Sequence, residues 1–239
     1  MALNSALRET ALYGVETNQH YLRQILDDAP FASGQPWTRC LEQLVYRADT
    51  VEVLSPGTQT TVQDHPGRIG YWAVGVPPSG PMDERALRLG NRLLGNAEDA
   101  AGLEVTMMGP VLRFNTAASV VVTGAVIPVL LDGVAQPMAT VLHIAAGSTL
   151  KLGTISGAGA RSYLAVRGGV QVPAYLGSRS TFTLGQFGGH AGRALASGDI
   201  LHLLPLAADE SPEAGKQLPD YLYPALETVR QVRVIYGPH

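Results

Sequence analysis

Hydrophobic spacing changes character once along the chain. From Ala2 to about Leu44 the apolar positions recur at helical intervals: Leu3 and Leu7, then Tyr21, Leu22, Ile25 and Leu26, the period of one buried helix face. Thr17 is placed to cap a helix over residues 18–28, Pro30 and Pro36 interrupt the pattern, and Thr38 is placed to cap a last short helix through Leu44. From Val51 onward, short β-branched runs bounded by Gly, Pro, Asn and Asp take over. They predict strands at residues 51–54, 112–114, 119–123, 127–131, 141–144, 149–152, 161–166 and 200–203. Spacing this close favours antiparallel pairing through tight turns. One segment keeps the helical period: Met82, Ala86, Leu89, Leu93 and Leu94 predict a helix over residues 82–94, with Pro81 at its start and Gly95 past its end. The pattern as a whole predicts a mainly β fold, a barrel or strongly curved sheet holding one helix against an opening.

Composition narrows the class. With 46% hydrophobic and 15% charged residues in 239, the chain is too apolar for disorder and too interrupted by charge, Pro and Gly to span a membrane. A net charge of -3 with scattered Lys and Arg provides no basic stripe for phosphates, so nucleic acid is not an expected partner. Cys40 is the single cysteine; it permits no internal disulfide and no Cys-rich zinc site, and fits a reducing cytoplasm. The first residues do not read as a secretion signal. Residues 205–224, rich in Pro, Ala, Asp and Glu, read as a linker, and residues 229–236 alternate like the start of another strand. The chain is therefore expected to break off within a domain.

Two Gly-rich stretches carry the candidate chemistry. In TVQDHPGRIGYWAVGVPPSGPMD, residues 61–83, glycines and prolines alternate, which makes a rigid, irregular path whose backbone N–H groups are not consumed by a ladder. Gln63 and Asp64 suit an amide, Arg68 a carboxylate, and Ser79 precedes a helix N-terminus that favours an anion. The bland alternative is a turn cluster in which Asp64 and Arg68 satisfy each other and nearby backbone. In TFTLGQFGGHAGR, residues 181–193, the Lys-Ser/Thr ending of a phosphate-binding loop is missing. Gly188 and Gly189 suit a close approach of backbone to a ligand or to another loop. His190 is an acid–base candidate or a hydrogen-bonded structural group. Arg179 and Arg193 flank the loop as carboxylate contacts or as solvated charges. Glu104, a carboxylate in an apolar strand, is either paired with an arginine or functional. The six histidines show no metal-ligand spacing and no Gly-x-Ser-x-Gly elbow occurs.

Taken together, PGTQTTVQDHPGRIGYWAVGVPPSGPMD, NRLLGN, GLEVTMMGP and STFTLGQFGGHAGRALASGD resemble the biotin-dependent carboxyltransferase region shared by urea carboxylase (part of urea amidolyase) and allophanate hydrolase subunit 2 proteins. The segment ALRETALYGVETNQHYLRQILDDAPFASGQPWTRCLEQL is similar to the tail of a biotin carboxylase domain, an arrangement found in urea carboxylases. The resemblance implies three parts: residues 1–48 as a biotin carboxylase remnant, 49–205 as a cyclophilin-like β-barrel, and 206–239 as a linker and first strand of a truncated second half. It implies a fragment of a ligase that moves a carboxyl group from carboxybiotin to urea to give allophanate, inactive by itself. Biotin would ride on another domain or chain, with ATP and bicarbonate used at a site outside this one. In that setting Asp64 is expected to orient the amide or act as base, Arg68 and Arg179 to contact carboxylate, and Gln63, Ser79, Gly188, Gly189 and His190 to bind substrate. Gln186 stands where relatives often carry glycine, and Ala191 where they often carry an acidic residue. The competing expectations are a subunit of an allophanate hydrolase or 5-oxoprolinase type complex, and a non-enzymatic binding module.

Overall fold

The computed structural model describes residues 2–10, 12, 17–44, 46, 49–204, 212–222, 226–229 and 231–237. Among the described residues, three short helices open the chain: α1 (Ala2–Glu9), α2 (Gln19–Asp27) and α3 (Ala29–Ala32). The cap of α2 is Asn18, one residue later than expected, while Thr17 Oγ1 accepts the Gln19 N–H at 3.4 Å. Pro30 sits in the first turn of α3, where its missing N–H costs nothing. Instead of a helix capped by Thr38, a 3-10 turn spans Cys40–Glu42. His20 of α2 stacks on His202 with ring centroids 5.2 Å apart.

Among the described residues, twelve strands follow: β1 (Thr50–Ser55), β2 (Gln59–Gln63), β3 (Gly102–Thr106), β4 (Val111–Phe114), β5 (Ala118–Gly124), β6 (Val129–Leu131), β7 (Val134–Gln136), β8 (Leu142–Ile144), β9 (Thr149–Leu152), β10 (Arg161–Val166), β11 (Val170–Gln171) and β12 (Ile200–Leu203). They form two sheets, β11-β12-β1-β4-β9-β6-β7 and β2-β3-β10-β5-β8, and every strand pair is antiparallel. The mainly β expectation holds in this two-sheet form. β3 is the apolar strand expected around Glu104; of the strands not foreseen, β2 carries polar residues on one face that mask the β pattern, and β7 and β11 are two or three residues long.

Burial along the strands explains the packing. In β4 and β9 buried and exposed positions alternate, as in a strand with one face in water. By contrast, β5 is buried at all seven positions and β10 at five of six. One side of these two strands, including Val120, Val122, Leu164 and Val166, joins Val53, Leu112, Phe114 and Leu150 in the core enclosed by the sheets. On the other side, Val121, Tyr163 and Ala165 pack against α4 (Glu84–Leu94) through Ala86, Leu87, Leu93 and Leu94. The helix therefore lies across the outer face of the five-stranded sheet and not at an opening. Its close seating uses Gly90, where an added Cβ would stand 3.2 Å from Ala165 Cβ.

The α4 cap also differs from expectation. Asp83 is the N-cap, its carboxylate accepting the Ala86 N–H at 3.0 Å, and Gly95 closes the C-terminus at φ 72°; Met82 precedes the helix and is exposed. Within the expected linker, Val141 donates its N–H to Lys216 O, Leu218 donates its own to Ala139 O, and Leu218 packs on the α4 cluster. Polar composition concealed a segment that pairs with backbone beside β8; residues 205–211 and 223–225 lie outside the described residues. Val229 and residues 231–237 form no strand, and Val232, Val234, Ile235 and Tyr236 are exposed. Their alternation supplies an apolar face, but no described strand edge pairs with it. Replacing the fully buried Leu164 by Ala should lower unfolding free energy by about 3 kcal/mol, measured by guanidinium denaturation.

Candidate functional site

Strand alternation assembles the site. With Thr60 and Val62 of β2 turned inward and fully buried, Gln59, Thr61 and Gln63 share the opposite, outer face. Register places Thr61 opposite Glu104, Gln59 opposite Thr106, Tyr163 opposite Glu104, and Arg161 opposite Thr106. The same face that carries α4 farther along is thus polar here. It floors a cavity of about 300 Å³, walled by Pro77, Ser79 and Gly80 from the first Gly-rich stretch and by Thr181, Phe182 and Thr183 from the second.

Three side chains lining this cavity hold buried polar atoms without a hydrogen-bond partner: Gln63 Oε1, Ser79 Oγ and Arg161 Nε. The Gln63 amide is held by its other end, Nε2 donating to Thr61 Oγ1 at 3.0 Å and to Thr181 O at 3.4 Å. A lone acceptor is left. Glu104 is tied down more fully. Its Oε2 accepts the Met82 N–H at 2.7 Å and the Tyr163 hydroxyl at 2.9 Å, and Oε1 lies 3.4 Å from Arg161 Nε. Burial, and then the Glu104 charge, push the Tyr163 phenol well above its ordinary pKa, so it stays a donor to Glu104 while accepting the Asp83 N–H at 2.7 Å.

Asp64 and Arg68 sit behind the cavity wall. Asp64 is 5% exposed and accepts from Ser178 Oγ and Ser180 Oγ at 2.6 Å each and from the Arg179 N–H at 2.7 Å. Arg68 is 1% exposed; Nε donates to Tyr175 O and Nη2 to Ser180 O, both at 2.9 Å, and its guanidinium lies 4.9 Å from the Phe187 ring centroid. The two residues do not satisfy each other: each bonds the segment around residues 175–180. Gly188 belongs to the same contact, since a Cβ there would stand 2.1 Å from Ser180 O and 2.7 Å from Arg68 Nη2. At Gly189 a Cβ would stand 1.9 Å from Thr181 Oγ1. Both glycines serve loop against loop.

Gly188, Gly189 and His190 line a different cavity, of about 390 Å³, with Asp199, Gln171 and His202. Burial lowers the pKa of His190 from its ordinary 6.5, opposed by Asp199, whose Oδ1 lies 3.5 Å from Nε2. Arg193 forks onto the same Asp199 at 2.7 and 2.8 Å. The Arg179 side chain lines neither cavity. Of the expected site residues, the structure brings together Gln63 and Ser79, buries Asp64 and Arg68 between the cavities, and sends Gly188, Gly189 and His190 to the second. Thr61, Arg161 and Thr181 were missed. An arginine opening an apolar strand was the visible signal for Arg161, but only register set it beside Glu104, which proves to be both paired with an arginine and part of the cavity. Among the described residues no three His, Cys, Asp or Glu side chains converge as a metal site, and no helix is long and apolar enough to cross a membrane.

The chain belongs to the family described as carboxyltransferase domain, subdomain A and B, whose model matches residues 74–239. Urea amidolyase of Saccharomyces cerevisiae is 42% identical over 240 residues, covering 99% of this chain and 13% of that protein. The crystal structure of Kluyveromyces lactis urea carboxylase superposes with a TM-score of 0.86 at 42% identity, over 95% of this chain and 20% of that one. A 5-oxoprolinase subunit of Haemophilus influenzae is more distant, 38% identical over 151 residues, which cover 63% of this chain and 48% of that protein. The chain thus spans less than a fifth of the length of the urea amidolyase it matches.

Two outcomes follow from the geometry. Asp64→Ala should cost about 3 kcal/mol of stability by stranding two hydroxyls and an N–H, read by guanidinium denaturation. Because burial lowers the folded-state pKa of His190, its contribution is present above about pH 6.5 and lost as pH falls through the lower folded value. Between pH 8 and about pH 5.5, the denaturation midpoint should therefore fall more in the wild type than in His190→Gln.

Proposed function

We propose that this chain provides the acceptor-binding part of a biotin-dependent carboxyl transfer in which urea is converted to allophanate. The observation that carries this reading is Gln63 Oε1, a buried acceptor without a donor, beside a cavity large enough for a small amide. Leaving such an acceptor unpaired costs about 1–3 kcal/mol, and an occupant that donates an N–H removes the cost. Urea offers N–H donors on both sides of a carbonyl. Gln63 Oε1 receives one of them, and the unpaired Ser79 hydroxyl donates to the carbonyl, which fixes the reacting nitrogen in the cavity. Asp64 and Arg68 act as positioning residues in this reading, because the Asp64 carboxylate and Arg68 Nε and Nη2 bond the loop behind the wall.

Biotin, carried on another domain or chain, supplies the carboxyl group. Gln59 and Thr183 line the cavity and are exposed; an amide and a hydroxyl at that place fit a ureido ring, and these two residues would hold it. ATP and bicarbonate act, in this reading, at a separate carboxylation site outside the chain. Residues 1–48 are read as the end of the biotin carboxylase part, 49–205 as a cyclophilin-like carboxyltransferase unit, and 206–239 as the link to its second half. The 99% share of the chain matched by a urea amidolyase, against 63% by a 5-oxoprolinase subunit, supports this division. The single cysteine supports a cytoplasmic setting.

Saturation-transfer NMR on the 239-residue chain tests the reading, with urea at millimolar concentration as ligand and 5-oxoproline as competitor. Urea should receive saturation, and Gln63→Ala should weaken its binding about tenfold, the loss of one buried hydrogen bond. Urea binding indifferent to Gln63, or binding of 5-oxoproline alone, would sink it.

A further inference from the structure

Among the described residues that line the cavity floored by Gln63, one side chain is cationic, Arg161. Its charge is poorly used. Arg161 Nε has no hydrogen-bond partner, its contact with Glu104 Oε1 is 3.4 Å, and Nη1 donates only to the carbonyl of its own neighbour Ala160 at 3.2 Å. Glu104, for its part, does not depend on this arginine, since its Oε2 already accepts from Met82 N–H and Tyr163 hydroxyl. Redirecting the guanidinium gives up one 3.2 Å hydrogen bond to Ala160 O and the 3.4 Å ion pair with Glu104. Only about a quarter of the side chain is exposed, so water screens it weakly, and a planar guanidinium matches a carboxylate through two parallel hydrogen bonds.

We infer that Arg161 reads a carboxylate on the occupant of this cavity, so that the site prefers an amide bearing a carboxylate over a neutral amide. The inference rests on the acceptor reading and deepens it. A neutral amide becomes an anion when it gains a carboxyl group, and a cation that engages only the anion favours the charge as it forms. Gln63 and Ser79 then recognise the amide end and Arg161 the end that changes. Glu104 sets the resting position of the arginine at the cavity's edge.

Malonamate, an amide with a carboxylate one methylene away, and malonamide, its neutral counterpart, separate these roles by titration calorimetry on the 239-residue chain. Malonamate should bind at least about tenfold more tightly than malonamide. Arg161→Gln should erase that preference while holding malonamide within about twofold, and Arg161→Lys, which keeps the charge without the fork, should retain part of it. Equal affinities in the wild type, or a preference that survives Arg161→Gln, would overturn the assignment. Gln63→Ala distinguishes the two levels. If it weakens both ligands while Arg161→Gln leaves the preference intact, only the carboxylate assignment falls; if neither ligand responds to Gln63, the acceptor reading falls and this one with it.

Discussion

Two buried ionic side chains hold the two Gly-rich loops together. Asp64 and Arg68 reach across more than a hundred residues of chain to bond Ser178, Ser180, Tyr175 and the Arg179 N–H. Burying a carboxylate and a guanidinium is costly unless their polar atoms are bonded, and charge-assisted bonds contribute about 1.5–3 kcal/mol each. The loop after β2 and the loop before residue 188 cannot separate without stranding these groups. Gly188 and Gly189 follow from the same constraint, because a side chain there would occupy space taken by Ser180 O, Arg68 or Thr181. The walls of the polar cavity are the far sides of these stitched loops.

The five-stranded sheet divides its outer face between a helix-covered part and a polar cavity. Where β5 and β10 present Val121, Tyr163 and Ala165, α4 covers them; where β2, β3 and β10 present Thr61, Gln63, Glu104 and Arg161, no helix does, and the cavity forms. Tyr163 and Glu104 join the halves. The phenol packs under α4 while its hydroxyl bridges the Glu104 carboxylate and the N–H of Asp83, the helix cap. Helix seating and cavity shape are therefore mechanically coupled. A polar floor with unpaired atoms is tolerated because the surrounding sheet is fixed by its core and by the helix beside it.

Much of the architecture was legible as period. Alternation in β4, β9 and β12, the capped helix before Gly95, and the switch from helical to β spacing near Val51 all express local preferences that burial reinforces. The failures were those of residues with two masters. In β2, Gln59 and Gln63 are polar where they floor a cavity, which breaks the apolar count of a strand. Residues 216–218 look like linker because pairing through backbone leaves little trace in side-chain type. Of the residues singled out in the first Gly-rich stretch, Gln63 and Ser79 line the cavity. Asp64 and Arg68, singled out in the same stretch for their charge, are buried and bond the segment around residues 175–180, and a charge marks a buried stitch as readily as a reacting group.

The sequence by itself determined that the chain is mainly β, where the helix closed by Gly95 runs, which two Gly-rich segments carry candidate chemistry and to what family the chain belongs, since these depend on local period, backbone freedom and long matched motifs. Only the tertiary structure decided that the helix lies on the outer face, that the two segments are joined through Asp64 and Arg68, and that Arg161 stands beside Glu104 in a cavity with Gln63. Those facts depend on strand register and loop contact between residues far apart in the chain, and no local pattern encodes which distant partner a buried charge will find.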